Sequence, residues 1–189
     1  MKVIYKAAII LSILTTIISC GSFGDEYTSD KKGFSAIEKE VKDKFGSNAY
    51  FTELSITHNI AIGNIVGVTV TEAPESLKMG QWNLIQATWK QNSEISLEVP
   101  QGRKAAEFMF QLNDKINLVK LGELVEKSSI QLQDEKDIKN PLLNIAFIKF
   151  PKNGDTSKAE YHVNLKPENG DTNFRFNYDL HGNLIEMDY

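Results

Sequence analysis

The chain has 189 residues, 41% of them apolar and 24% charged, with a formal charge of −4. Only two arginines are present, Arg103 and Arg175, and this argues against nucleic acid, whose backbone demands clustered Lys and Arg. One cysteine, Cys20, excludes an internal disulfide framework, so burial must hold the fold.

The N-terminus has the three-part layout of an export signal. Lys2 and Lys6 form the positive end, Ala7 to Ile18 is a nearly unbroken apolar run, and Ile17-Ile18-Ser19-Cys20-Gly21 closes it. The run is too short and too often interrupted by Ser and Thr for a membrane span of about 20 apolar residues. The layout resembles the signal and lipobox of bacterial lipoproteins, with Ile17 where Leu is usual. That resemblance implies cleavage after Ser19 and acylation of Cys20. Residues 1–19 are then a signal peptide, and the mature chain carries 19 basic against 25 acidic residues. It also implies a cell envelope location, outer membrane included, with the membrane as a partner through the lipid. Residues 20–34 include the small and polar Gly21 to Lys32 and are expected to tether the domain.

A first unit is expected over 35–102. Ser35 and Glu38 have capping-box spacing, and Ile37, Val41 and Phe45 fall on one helical face before Gly46. The spacing predicts a helix from Ser35 to Phe45. Alternation predicts strands at Phe51 to His58, Asn64 to Thr71, Gln81 to Lys90 and Glu94 to Val99, with 91–93 as a hairpin connection. On one continuous strand, Trp82 and Trp89 are seven apart and face opposite ways. One of them is then free for the other unit or for a partner, which makes the pair the ligand-binding candidates.

The linker and second unit are expected over 103–189. Arg103 to Leu112 alternates and reads as a linking strand. Asn117 to about Gln133 has Leu118, Leu121, Leu124, Val125 and Leu132 at helical spacing. Strands are predicted at Leu142 to Phe150, Ala159 to Leu165, Asn173 to Leu180 and Leu184 to Tyr189. Asn153-Gly154-Asp155, Asn169-Gly170-Asp171 and His181-Gly182-Asn183 are expected at hairpin turns, because Asn and Gly tolerate positive φ. Clean alternation in these strands predicts one solvated sheet face.

The expected fold class is α+β: two tandem units, each a helix packed on a four-stranded antiparallel sheet. In element order this resembles the β-lactamase-inhibitor proteins and PepSY-type envelope domains, with no motif matched residue by residue. His58, His162 and His181 lack metal-ligand spacing, and the acidic turns lack the six to eight oxygens of a calcium site. No catalytic serine context or phosphate-cradling glycine loop is present. The residues therefore predict no enzyme, no catalytic residue, no metal and no cofactor. They point to a lipid-anchored protein- or peptide-binding module, with inhibitor or immunity roles within that class. The alternative is an accessory lipoprotein of envelope assembly or nutrient uptake that binds a glycan or small apolar ligand.

Overall fold

The computed structural model describes residues 27–170 and 172–188, so Cys20 and the signal segment lie outside the described residues. Helix α1 spans Lys31–Phe45 and is followed by β1 (Tyr50–Asn59), β2 (Gly63–Thr71), β3 (Lys78–Ile85) and β4 (Thr88–Ser96). Helix α2 spans Leu118–Lys136 and is followed by β5 (Leu142–Lys149), β6 (Glu160–Lys166), β7 (Phe174–Asp179) and β8 (Leu184–Asp188). The protein is α+β, and its eight strands form one antiparallel sheet in the order β4-β3-β2-β1-β5-β6-β7-β8. Ser55, Ile56 and Thr57 of β1 pair with Phe147, Ala146 and Ile145 of β5, so the strands that follow the two helices are continuous across the middle.

Both helices pack on one face of this sheet and on each other. Their apolar stripes, Phe34, Ile37 and Val41 in α1 and Leu118, Leu121, Leu124, Val125 and Leu132 in α2, are fully or nearly fully buried. They meet alternating sheet residues, among them Leu54, Ile56, Val66, Val68, Ala146, Tyr161, Val163 and Phe176. Gly122 brings the helices close, since a Cβ there would stand 2.8 Å from the Lys31 Cα and 2.9 Å from the Phe34 Cβ. Each helix also caps the other. The Lys31 N–H donates to Glu126 Oε1 at 2.9 Å, and the Leu118 N–H donates to the buried Glu38 Oε2 at 2.7 Å. First-turn N–H groups have no partner within their own helix, and a carboxylate there also favours the helix dipole.

Several local expectations are corrected. The α1 cap is Asp30, whose side chain accepts from the Gly33 N–H, five residues before the expected Ser35 cap. Glu38 is instead committed to α2 and Lys42. The segment Gln81 to Lys90 is a hairpin rather than one strand. Gln86 and Ala87 turn it with φ of 47° and 58°, and the expected connection at 91–93 lies inside β4. Arg103 to Leu112 is a 3₁₀ turn over Ala105–Phe108 followed by a single bridge between Phe110 and Phe51. The Asn-Gly segments turn in longer connections than tight hairpins. The one after β5 holds a 3₁₀ turn over Thr156–Lys158, capped by the Asp155 side chain.

Candidate functional site

The face of the sheet away from the helices is open over its middle, while near the start of β3 a second small core of Met79, Ala105 and Met109 covers it. Period-two alternation sends Ser55, Gly67, Gln81 and Asn83 to it from β1, β2 and β3, opposite in sense to Ile56, Val66, Val68 and Leu84. Ile145 and Phe147 arrive from β5, His162 and Asn164 from β6, Arg175 and Asn177 from β7. A depression of about 500 Å³ crosses β4, β3, β2, β1 and β5, lined by Glu53, Ser55, Gly67, Thr69, Gln81, Asn83, Asn92, Ile145 and Phe147 among others. Gly67 leaves its floor low; a Cβ there would come within 3.1 Å of Ser55 Oγ. Glu53, paired with Thr69 just past a bulge at Thr52, accepts from the buried Thr69 hydroxyl at 2.9 Å.

Beside the depression, the His162 ring stacks on Phe147 with centroids 4.7 Å apart. His162 Nε2 lies 3.0 Å from Glu160 Oε2, and Lys149 Nζ donates to the same oxygen at 3.1 Å. Burial lowers the His162 pKa, and the opposing pull of Glu160 is smaller. Burial also works against charge on Glu160, but hydrogen bonds from His162 and Lys149 together hold its carboxyl below the usual range. The result at neutral pH is a neutral imidazole edged by a carboxylate and an ammonium. Next in register, between Ile145 and Arg175, Asn164 Oδ1 is buried with no hydrogen-bond partner among the described residues. A buried orphan acceptor costs about 1–3 kcal/mol, which a donor brought by a ligand would relieve.

The tryptophans lie elsewhere. Trp82 and Trp89 sit on adjacent strands and share the helix face, not opposite faces, because the Gln86-Ala87 turn folds the segment back. Their rings pack edge-on against Phe45, at 5.7 and 4.9 Å. Trp89 Nε1 donates to Glu40 at 3.0 Å, and Lys44 Nζ stands 5.0 Å from the Trp82 ring. Gly80, two residues before Trp82 and on its face, leaves space into which the indole lies. The pair thus fastens the end of α1 to the β3–β4 hairpin.

His58 joins the base of the β1–β2 hairpin and His181 is exposed in the last turn. Among the described residues no three His, Cys, Asp or Glu are grouped as metal ligands, and no helix is long and apolar enough to cross a membrane. The open-face residues Ile145 and Phe147 carry a signal in the sequence. A strand apolar at nearly every position, such as Leu142 to Phe150 with only Asn144 and Lys149 polar, has apolar side chains on both faces, so some of them must look away from the helices. Compared with protein-family models, curated proteins and solved structures, the chain matches none. The class defined by fold and site is an α+β protein with one helix-covered and one open face on a single antiparallel sheet.

Proposed function

We propose that this is a lipid-anchored envelope protein, held by an acylated Cys20, whose open sheet face binds a protein or peptide partner without catalysing a reaction. It is assembled from two helix-plus-four-strand units joined at β1 and β5. The observation that carries the reading is the open face, with the Phe147–His162 stack and Ile145 near its middle and amide, hydroxyl and charged side chains around them. Aromatic residues surrounded by a polar rim are the usual anatomy of protein interfaces. The titratable groups beside the stack hold one another in place, and this suits recognition better than proton transfer.

Affinity capture from detergent-solubilised envelopes tests it. A partner retained by the wild type should be lost with Phe147→Asp and kept with Ile130→Asp, which alters an exposed residue of α2. Equal retention by both variants would remove the open face from the account. The lining of the depression by Gln81, Asn83, Asn92, Ser55 and Thr69 favours a second reading, a glycan ligand. Saturable binding of an envelope glycan, sensitive to Asn83→Ala and with no protein captured, would favour that reading.

A further inference from the structure

The β1–β2 hairpin tip, Ile60-Ala61-Ile62, is a turn made of three apolar residues. Ile60 is 77% exposed and Ile62 37%, and Ala61 between them is exposed. Single exposed apolar residues are ordinary. Two isoleucines on a three-residue tip are not, because turns favour Gly, Asn, Asp and Ser.

A second observation fixes what lies next to this tip. At the base of the same hairpin, the buried Asn64 pairs across the ladder with His58. Its Oδ1 lies 2.8 Å from His58 Nδ1 and accepts from Ser29 Oγ at 3.0 Å, and its Nδ2 donates to the Tyr27 carbonyl at 2.8 Å. These bonds seat residues 27–29 against the hairpin base. An extended chain advances at most about 3.3–3.6 Å per residue, so Cys20 is within about 25 Å of Tyr27. Ile85, 37% exposed, marks the same end of the neighbouring strand β3. The connections at this end carry no basic excess, since Lys139 is matched by Asp137, and Lys166 is outnumbered by Glu168 and Asp171, so an apolar contact rather than charge would hold it to a membrane.

We propose that the tip at 60–62 enters the lipid–water interface of the membrane that holds the anchor. The inference rests on the acylation of Cys20 proposed above. The tip supplies a second, non-covalent contact beside the acyl chains and stands the strands upright on the bilayer. The open face then looks sideways, parallel to the membrane surface, and the β5–β6 connection around Lys152 points away from it.

The full-length chain, expressed with its signal and reconstituted in vesicles of phosphatidylethanolamine and phosphatidylglycerol, provides the test. Acylation consumes the Cys20 thiol, so Ala61→Cys and Lys152→Cys each offer one site for an environment-sensitive fluorophore. The expected result is a blue-shifted emission and a several-fold loss of iodide quenching at 61 but not at 152. The shift at 61 should disappear when Ile60→Asn and Ile62→Asn are added. Acylated protein with equal quenching at both positions would overturn the tip contact and leave the anchor standing. Unshifted mass and a protein that stays out of the membrane fraction would overturn the anchor, and the orientation with it.

Discussion

Glu38 joins the two helices through one carboxylate. Its Oε2 accepts from the Leu118 N–H of α2, and its Oε1 takes the Lys42 ammonium at 2.6 Å within α1. Removing the carboxylate leaves a buried first-turn donor without a partner, at a cost of about 1.5–3 kcal/mol. Glu38→Ala should lower the denaturant midpoint accordingly, whereas Glu38→Gln keeps an acceptor and should recover part of the loss. His162 gives a pH prediction. Its ring is only 17% exposed and its folded pKa is depressed by burial. The unfolded chain takes up a proton near pH 6.5, above the pH at which the folded ring does so. Acidification therefore favours the unfolded state, and stability present above about pH 6.5 is lost as pH falls through the folded value. Glu160, held below its ordinary value of 4.5, loses its contribution only at lower pH. Thermal melts should fall as the pH is taken below about 6.5 in the wild type and fall less in His162→Gln.

At the scale of elements, the β3–β4 hairpin turns on Gln86 and Ala87, both with positive φ and neither a residue that favours it. Left-handed backbone costs a non-glycine residue roughly 1–2 kcal/mol, and Asn-Gly is the favoured pair for such turns. Replacing Gln86-Ala87 by Asn-Gly should raise the melting temperature by a few degrees, measured by circular dichroism. The same chemistry explains why this turn was illegible. Neither residue is a turn former that would interrupt QWNLIQATWK, a segment rich in aromatic and β-branched residues, so the pattern reads as one strand, and the tryptophans are assigned to opposite faces. The α1 start was misread because Ser35 and Glu38 do have capping-box spacing, while the acceptors that matter come from the other helix or from Asp30. By contrast, Leu118 to Leu132 and the alternating strands from Ala159 to Tyr178 were legible. Their periodicity reflects burial on one side only, and the residues it selected are in the core. The candidate site was partly legible: the polar face of β6 with His162 followed from alternation. The stack on Phe147 depends on the β5–β6 register, which no local pattern specifies.

At the scale of the molecule, eight strands in one sheet put both α-helices on one side, and the other side is covered only near Met79 by the segment around Ala105 and Met109. The helices hold the two halves together by mutual capping and by the close crossing at Gly122, while β1 and β5 share only a short ladder. This arrangement makes the open face a single surface running across the central seam, with the depression reaching over the seam onto β5 and the Phe147–His162 stack at its edge. The central claim is that this surface, and not the helix face, meets the partner. Site-specific photocrosslinking in intact cells tests it most directly, with a photoreactive residue placed at Asn83 on the open face or at Ile130 on α2. The account predicts one discrete adduct from position 83, abolished by Phe147→Asp, and none from position 130. Adducts from position 130 with none from position 83 would contradict it.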